Sequence, residues 1–371
     1  MRIGIDLLWV RVGICGGTES YIRNLLEGFV EFAPEHKYIL FVSRDNEESF
    51  RHYETYGCIQ ICLCNVYSSN QIKRVFWENR YLDKHAQSAD VDVMFIPIYS
   101  KPRNRGKDIP YVSVIHDLQA LHYPQYFSWI KRMFFKAAWR NTCATADRVI
   151  AISDYVKEDI IAHYPIVKEK IYTVYNPIIS KPSSLPAAFI EQKYGIERGK
   201  YFYCVSSTLP HKNLPTILYV MQKRKTKSIQ QEKLVLSGVG GNEGVIQEMV
   251  EELGIQEQVV FTGFIPDDER DCLYENCRLF LFPSVFEGFG MPPIEAMRKG
   301  KNVVMTDRTC LREVTEGKAV YVTNPFDVKE WDEKIEEAKK RKQVVQNFKQ
   351  YDLEIVVKNY IEILYFGKGK R

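Results

Sequence analysis

The sequence LFLFPSVFEGFGMPPIEAM occupies residues 279–297. It opens with a continuous apolar run, as expected of a strand that helices cover on both faces of a sheet. Pro283 ends this run, and Gly288 and Gly290 let the backbone approach a ligand closely because they carry no Cβ. The proline pair that follows suits a first helical turn, where a missing N–H costs nothing. The stretch therefore predicts a buried strand, a close-packed loop and a helix in succession.

The start of this predicted helix is a candidate anion site. Free N–H groups and the positive end of the helix dipole favour negative charge there, which suits a diphosphate. Glu287 lies before the glycines and Glu295 in the first turn of the helix. Carboxylates accept hydrogen bonds from hydroxyl groups, such as those of ribose and hexose rings. We therefore expect the two carboxylates to hold two sugars on either side of a diphosphate. The alternative for Glu295 alone is that it complements the helix dipole.

Outward from this stretch, short apolar runs alternate with amphipathic stretches along the chain, which predicts an α/β fold with doubly wound parallel sheets. The strands predicted in the first half are residues 2–7, 38–42, 91–96, 111–115, 148–152 and 171–174. Those predicted in the second half are residues 201–205, 233–237, 259–262, 279–282, 302–305 and 319–322. The helices predicted in the first half are residues 19–32, 71–86, 127–146 and 154–164.

The length of 371 residues favours two domains, at roughly 100–200 residues per domain. The stretch 176–189 holds three prolines and three serines and is predicted to link them. We therefore predict an N-terminal domain over 1–180 and a C-terminal domain over 181–351. Residues 352–371 are predicted to form a helix that ends near Gly367 and crosses back to the first domain. Its apolar face follows helical spacing and consists of Leu353, Val356, Val357, Tyr360, Ile361 and Leu364.

Composition narrows the class of protein. The net charge of +4 is too small to indicate a nucleic-acid partner. The nine cysteines are scattered and odd in number, which favours free thiols in the reducing cytoplasm. The start, MRIGIDLLWVRVG, predicts a first strand and not a signal peptide. No run approaches the roughly 20 apolar residues that cross a bilayer, so membrane contact would be peripheral.

Two further patterns suggest other ligands. SGVGGNEG places Gly238, Gly240 and Gly244 between a strand and a helix, as in dinucleotide-binding proteins. That motif requires an acidic residue at the end of the next strand, where Thr262 and Gly263 stand, so the dehydrogenase interpretation fails. The pair Asp90 and Asp92 has the D-V-D pattern of a metal site, but it precedes its strand, and a role at strand entry is favoured.

The segments FPSVFEGFGMPPIEAM and GKNVVMTDRTCLREV resemble the donor-binding signature of retaining glycosyltransferases of family 4. The resemblance implies the GT-B fold, in which two Rossmann-like domains face each other. It implies that Glu295 binds the ribose of a nucleotide and that Glu287 binds hydroxyls of the transferred sugar.

The same resemblance implies contacts by the loop backbone and by the segment FTGFIPDDE. The backbone of Phe289, Gly290 and Met291 is expected to contact sugar and phosphate. Phe264 and Ile265 are expected to lie near the base.

A diphosphate leaving group also needs a positive charge. VSSTLPHKNL places Lys212 just after a predicted strand, where it matches the family's phosphate-binding lysine. Many relatives add an arginine nearby, but His211 and Ser206 occupy those positions here. A lysine in a solvated loop is the alternative. Because Lys212 and helix dipoles can replace a metal, no metal or other cofactor is predicted.

The first domain contributes two candidate pieces. In GICGGTESY, Gly16 and Gly17 open a helix, and the family places a glycine pair there against donor phosphate and sugar. In SVIHDLQALHYP, His116 directly follows a buried strand, and the family's histidine contacts the transferred sugar. For the glycine pair, the alternative is a plain tight turn. For His116, the alternative is a core histidine whose ring is hydrogen-bonded to a backbone carbonyl. Asp117 is expected to cap a turn.

The stretch QYFSWIKRMFFKAAWRN predicts a helix with a basic row and an apolar row. The basic row is Arg132, Lys136 and Arg140, and the apolar row is Tyr126, Ile130, Met133, Phe134 and Ala137. Such a helix can rest on an anionic membrane. The alternative is a core helix with a solvated basic face.

Together these features predict a retaining glycosyltransferase that transfers a hexose from a nucleoside diphosphate sugar to a glycan hydroxyl. The sequences of these motifs resemble those of mannosyltransferases that act in bacterial surface polysaccharide synthesis, such as that of lipopolysaccharide O-antigen or exopolysaccharide. Mannose from GDP-mannose is therefore the first expectation for the donor, and UDP-hexoses and a deoxyhexose donor are the alternatives. The second domain is expected to bind the donor and the first domain the acceptor. A lipid-linked acceptor and the cytoplasmic face of the inner membrane are also expected. A sugar-nucleotide epimerase of the same fold and a non-catalytic partner subunit remain alternatives.

Overall fold

The computed structural model describes residues 1–103, 109–226, 232–239 and 243–367. The chain divides into two compact units. Unit 1 comprises Met1–Ile178 together with Lys349–Arg371, and unit 2 comprises Ile179–Phe348.

Within its described residues, unit 1 has a seven-stranded sheet in which all neighbouring strands are parallel. Its strands are β1 (Arg2–Asp6), β2 (Lys37–Ser43), β3 (Ile59–Cys64), β4 (Val93–Ile96), β5 (Tyr111–Ile115), β6 (Arg148–Ala151) and β7 (Ile171–Thr173). The strand order is β3-β2-β1-β4-β5-β6-β7, so the chain reverses its direction of travel at β1. In open parallel sheets, ligands bind beyond the carboxyl ends of the strands at such a point.

Helices connect these strands. They are α1 (Gly17–Phe32), α2 (Gln71–Trp77), α3 (Asp83–Ser88), α4 (Gln119–His122), α5 (Trp129–Thr145) and α6 (Asp154–His163). The side chain of Ser128 caps α5 by accepting from the N–H of Lys131, and Ser153 caps α6 in the same way. These capping bonds satisfy N–H groups that have no partner inside the helix.

Within its described residues, unit 2 has a six-stranded parallel sheet of order β10-β9-β8-β11-β12-β13. Its strands are β8 (Tyr201–Val205), β9 (Lys233–Ser237), β10 (Val259–Gly263), β11 (Leu279–Phe282), β12 (Val303–Thr306) and β13 (Val320–Val322). Its helices are α7 (Ala188–Tyr194), α8 (Leu214–Thr226), α9 (Glu243–Glu252), α10 (Asp267–Asn276), α11 (Met291–Arg298), α12 (Leu311–Val314) and α13 (Val328–Lys340).

The last helix, α14 (Leu353–Leu364), packs on α1 inside unit 1. The hydroxyl groups of Tyr21 and Tyr360 lie 2.7 Å apart, and both rings are fully buried. Gly28 permits the close approach, because a Cβ there would lie 2.6 Å from Cγ2 of Val357. The predicted return of the C-terminal helix to the first domain is confirmed. The helix ends at Leu364, before the expected Gly367, and residues 368–371 lie outside the described residues.

The predicted pair of doubly wound parallel sheets is confirmed, and two local predictions need correction. The strand β3 was not predicted. The helix predicted over residues 71–86 is interrupted, because a π-helical turn, Glu78–Leu82, separates α2 from α3.

Candidate functional site

The loop between β11 and α11 is built as the sequence predicts. The apolar strand is fully buried, and α11 begins at Met291, with prolines as its second and third residues. Gly290 caps the helix with φ +87°, a left-handed conformation that glycine adopts without strain. A Cβ at Gly290 would lie 2.8 Å from Cδ2 of Leu311. The loop is therefore packed too closely to accept a larger residue at Gly290. It leads directly to the free N–H groups at the start of α11.

The second half of the family signature holds this loop in place. The N–H of Glu287 donates to Oγ1 of Thr309 at 3.2 Å. The thiol of Cys310 is 3.3 Å from the carbonyl oxygens of both Glu287 and Phe289. Thr309 itself has a positive φ of 51°. The segment around 309–310 thus fixes the backbone on both sides of Gly288.

The structure brings Lys212 and Glu287 into direct contact. Nζ of Lys212 donates to Oε1 of Glu287 at 2.6 Å, and the two side chains retain 20% and 14% of their exposure. Lys212 ends a short 3₁₀ turn, and Asn213 follows it with a positive φ of 51°. The side chain of Asn213 donates to the carbonyl of Pro325 and accepts from Thr216. The position of Lys212 is therefore fixed by its neighbours, unlike that of a solvated loop lysine.

Glu295 was predicted in the first turn of α11, but it lies at the start of the second turn. It is the fifth residue of the helix, and the first turn contains no acidic residue. Because the dipole effect falls off within one turn, complementing the dipole is a weak explanation for this carboxylate. Instead, Oε2 of Glu295 accepts a hydrogen bond from the hydroxyl of Tyr274 at 2.9 Å.

Sequence reasoning missed two residues on α10 that surround this carboxylate. Tyr274 is fully buried, and burial together with the charge of Glu295 raises the pKa of its hydroxyl well above the ordinary value. Arg270 lies one turn earlier. Burial lowers the pKa of its guanidinium, but the nearby Glu295 carboxylate, together with Tyr274, Asp267 and Asp271, raises it above the ordinary value. The available signal was their spacing of four residues, which places both on one face of the helix that follows the predicted base-contact segment.

The predicted base contacts follow β10. The side chain of Phe264 is 75% exposed, which is unusual for an aromatic residue in the body of a domain, and Ile265 is partly buried. Their position at the carboxyl end of a parallel strand is where a nucleotide base would be received. Their contact with a base stays a prediction.

The glycine-rich stretch after β9 has a packing role. A Cβ on Gly238 would lie 2.8 Å from the carbonyl oxygen of Ser206, and φ at Gly238 is +78°. Its N–H donates to the carbonyl of Gly263. Gly238 therefore joins the ends of three neighbouring strands, while Gly240 lies outside the described residues.

In unit 1, the predicted glycine pair and His116 belong to neighbouring elements. Gly16 caps α1 with φ +54°, and Gly17 is the first residue of that helix. Tyr21, one turn later, packs edge-on against the ring of His116 with centroids 4.9 Å apart. Pro97 accepts a hydrogen bond from Nε2 of His116 at 2.9 Å.

The state of His116 follows from these contacts. Burial lowers its pKa to about 4, so the ring is neutral at pH 7. Because Nε2 donates its proton to a carbonyl, Nδ1 carries no hydrogen and is an acceptor. The bond to a backbone carbonyl is the one expected of a core histidine, yet it leaves an acceptor that suits a sugar hydroxyl.

Among the described residues, no group of three or more His, Cys, Asp or Glu side chains is arranged to hold a metal ion. Asp92 accepts a hydrogen bond from the N–H of Arg2 at 2.8 Å, which is the strand-entry role expected for it.

Two family profiles match the chain. Residues 15–180 match the profile described as Glycosyltransferase Family 4, and residues 187–354 match that of Glycosyl transferases group 1. The chain therefore carries a glycosyltransferase family 4 domain followed by a glycosyl transferases group 1 domain. The family that the motifs indicated is thereby confirmed.

Curated relatives of this glycosyltransferase include two O-antigen enzymes. It is 29% identical over 237 residues to the O-antigen chain mannosyltransferase RfbU of Salmonella typhimurium, covering 64% of this chain and 63% of the relative. It is 30% identical over 224 residues to O-antigen chain mannosyltransferase B of Escherichia coli, covering 58% of each. The matched region thus spans less than two thirds of the length of these relatives.

Solved structures with the same fold include WaaG, a glycosyltransferase involved in lipopolysaccharide biosynthesis. It superposes with a TM-score of 0.73 at 15% identity, covering 98% of this chain and all of WaaG. Anabaena Alr3699/HepE in complex with UDP and glucose gives a TM-score of 0.70 at 18% identity, covering 98% and 99%. At such identities the likeness concerns the fold, and the predicted GT-B fold is confirmed.

His211 does not supply the charge that an arginine provides in many members of this glycosyltransferase family. Burial, followed by the charge of Lys212, lowers its pKa to about 4. Its carbonyl accepts hydrogen bonds from the N–H of Val285 and the hydroxyl of Ser284. His211 is therefore neutral at pH 7, and its backbone supports the loop that precedes α11.

The surface of α5 in this glycosyltransferase differs from that of a core helix. Much of its apolar row is exposed, with relative exposures of 64% for Ile130 and 59% for Met133, and Trp129 at the start is 67% exposed. The residues that α5 buries lie further along, at Trp139, Thr142 and Cys143. Among the described residues, none of the helices is both long and apolar enough to span a bilayer.

Proposed function

We propose that this protein is a glycosyltransferase whose donor, a nucleoside diphosphate sugar, is bound by unit 2. The observation that carries the proposal is the contact of Lys212 with Glu287 next to the glycine-capped start of α11. Glu287 precedes α11 by a few residues and is in contact with Lys212, so a cation, a carboxylate and free helix N–H groups belong to one site. This combination suits a diphosphate that carries a sugar.

The donor sugar that we propose is mannose, from GDP-mannose. Support comes from the relatives, which are named as O-antigen mannosyltransferases. We propose transfer with retention of configuration onto a glycan hydroxyl, in the synthesis of lipopolysaccharide O-antigen or exopolysaccharide. In the mechanism that the family resemblance implies, the departing phosphate oxygen takes the proton of the acceptor hydroxyl on the face from which it leaves.

The chain's own residues supply the remaining chemistry in this proposal. Lys212 stabilises charge on the leaving diphosphate, without a metal or other cofactor. Glu287 binds hydroxyls of the transferred sugar, and Glu295 binds the ribose. In unit 1, the neutral acceptor Nδ1 of His116 suits a sugar hydroxyl, and the glycine-capped start of α1 at Gly16 and Gly17 suits phosphate or sugar oxygens.

A donor panel tests this function. Thermal shift with GDP-mannose, UDP-glucose, UDP-galactose and a GDP-deoxyhexose should give one donor that stands out, since a ligand at 100 times its Kd adds about 2.7 kcal/mol. NMR of the product formed with an acceptor then gives the anomeric configuration. An epimerase would convert the donor with no acceptor present. A non-catalytic subunit would show no shift with any donor.

We further propose that α5 rests on an anionic membrane, at the cytoplasmic face of the inner membrane, where a lipid-linked acceptor is found. The exposed apolar side chains lie beside basic ones on the same helix, a combination that binds anionic interfaces. The apolar members are Trp129, Ile130, Met133 and Phe134. The exposed basic members are Lys136 and Arg140 of the predicted row together with Lys131, whereas the predicted Arg132 is partly buried. Exposed Ile72 and Phe76 on α2 add to the apolar surface of unit 1.

Sedimentation with vesicles tests the membrane proposal. The protein should pellet with phosphatidylglycerol vesicles and remain in solution with phosphatidylcholine vesicles. The double variant Ile130→Ser, Met133→Ser should lose this binding. Phe326→Ser is the matched control, because Phe326 is 66% exposed in unit 2. Equal binding by the double variant and the control would contradict the proposal.

A further inference from the structure

The side chain of Tyr274 is held rigidly inside unit 2. Its ring packs edge-on against Tyr203, with centroids 5.0 Å apart, and at a tilt against Phe280, at 5.2 Å. Aromatic packing of this kind fixes both torsions of a tyrosine side chain. The hydroxyl is therefore held in place before any ligand arrives, and it is bonded to Oε2 of Glu295 at 2.9 Å.

The charges around Glu295 support the same arrangement. The raised pKa of Tyr274 keeps its hydroxyl protonated, so it remains a donor to the carboxylate. Arg270 places a positive charge nearby, and its Nε is buried with no hydrogen-bond partner among the described residues. Its terminal NH1 instead donates to the exposed Asp267 at 2.7 Å. Glu295 thus has one fixed neutral donor and one nearby cation, both from α10.

We propose that Tyr274 is a positioning residue for the donor nucleotide, which acts by fixing the carboxylate of Glu295 for the ribose hydroxyls. The inference rests on the proposed function, because ribose binding by Glu295 is part of it. Each carboxylate oxygen offers two acceptor positions, so Glu295 can still accept from both the 2′- and 3′-hydroxyls while bonded to Tyr274. Fixing a free glutamate costs rotamer entropy, and Tyr274 removes much of that cost in advance.

The chain offers a matched control. Tyr274→Phe removes the hydroxyl bonded to Glu295 and keeps the buried ring. Tyr203→Phe also removes a buried hydroxyl from the same aromatic group, but that hydroxyl donates to Oγ of Ser237 at 2.9 Å. A general loss of packing would affect both variants. A positioning role affects Tyr274→Phe alone.

The experiment is calorimetric binding of GDP and 2′-deoxy-GDP, and of UDP and 2′-deoxy-UDP, to the wild type and both variants. For the base that the protein accepts, the wild type should bind the ribose nucleotide about 10-fold more tightly, or better, than the 2′-deoxy nucleotide. This difference is expected of a hydrogen bond to a charged acceptor. Tyr274→Phe should reduce this preference by roughly 3- to 10-fold, mainly through weaker binding of the ribose form. Tyr203→Phe should keep the wild-type preference. In turnover, Tyr274→Phe should raise the donor KM and leave kcat within about 2-fold.

Two kinds of failure are distinguishable. If the wild type binds a nucleoside diphosphate and Tyr274→Phe has the same ribose preference, the positioning role is wrong and the donor site stands. The same holds if both variants lose the preference equally. If the wild type binds the nucleotide but shows no ribose preference, the ribose assignment of Glu295 is wrong as well. If the wild type binds no nucleoside diphosphate, the proposed function fails and this inference fails with it. Near-ultraviolet circular dichroism of each variant shows that its aromatic packing is retained.

Discussion

Lys212 and Glu287 lie 75 positions apart in the chain, yet Nζ of one is 2.6 Å from Oε1 of the other. The residue assigned to the phosphates and the residue assigned to the transferred sugar therefore form one ion pair. On donor binding, phosphate oxygens would replace Glu287 at Lys212, and sugar hydroxyls would replace Lys212 at Glu287. Both new contacts would be charge-assisted hydrogen bonds. Neither the ammonium group of Lys212 nor the carboxylate of Glu287 would therefore be left without a partner when the ion pair opens.

This exchange predicts opposite effects of one substitution on two measurements. Glu287→Gln removes a negative charge beside Lys212, so calorimetric affinity for free GDP should rise by about 3- to 10-fold. The rate of sugar transfer should fall by roughly 10- to 150-fold, because the sugar loses a charged acceptor. Glu337→Gln is the control, since Glu337 pairs with Lys334 and Arg341 on the surface of unit 2. Weaker GDP binding together with unchanged transfer would contradict the exchange.

Lys212→Met tests the other half of the pair. The variant keeps the length of the side chain and removes its charge, and it leaves Glu287 close to the diphosphate with no cation between them. Affinity for GDP should fall by roughly 10- to 150-fold, and the residual binding should depend less on salt concentration. Lys334→Met, in a surface ion pair, should bind GDP as the wild type does. Unchanged affinity in Lys212→Met would show that the phosphates bind elsewhere.

Gly290→Ala probes the cap of α11. At φ +87° an alanine is strained by about 1–2 kcal/mol, and its Cβ would press on Leu311. The thermal midpoint and the affinity for GDP should therefore both decrease. Gly244→Ala is the matched control, because Gly244 lies in α9 with no atom within 4 Å of an added Cβ, and alanine favours a helix. Equal midpoints for the two variants would contradict the strained cap.

The lowered pKa of His116 predicts a dependence of stability on pH. Between pH 6.5 and about pH 4, the unfolded chain binds a proton at this histidine and the folded chain does not. Stability is therefore present above pH 6.5 and falls as the pH is lowered through this window, by about 1.4 kcal/mol per pH unit. His116→Asn should lose about 2 kcal/mol less than the wild type between pH 7 and pH 5. Urea unfolding at the two pH values measures this, with exposed His52→Asn as the control.

The sequence was a good guide where a strand is buried on both faces. Residues 111–115, 201–205, 233–237 and 279–282 were predicted at the bounds that the structure has, because a continuous apolar run leaves little choice. The strand β3 was missed because it lies at the edge of its sheet, where buried and exposed side chains are mixed. The π-helical turn at Glu78–Leu82 was missed because it does not change the spacing of apolar residues in the sequence.

The parts of the site that depend on local sequence could be predicted. The glycine cap and the prolines of α11 follow from the preference of these residues for the start of a helix. The helical turn in which Glu295 lies depends only on where the helix begins. The pairing of Lys212 with Glu287 joins two loops that are distant in sequence, and no spacing rule gives it. Tyr274 was missed because a buried tyrosine on a helix is usually a core residue, and only its hydroxyl contact with Glu295 shows otherwise.

The central claim is that the diphosphate binds at the start of α11. A crystal structure with GDP tests it most directly, through the distances from the phosphate oxygens. We predict hydrogen-bond distances, about 2.7–3.2 Å, to backbone N–H groups at the start of α11 and to Nζ of Lys212, with the ribose hydroxyls on Glu295. A nucleotide bound in any other part of the molecule, or with Glu295 bonded to Tyr274 alone, would contradict the claim.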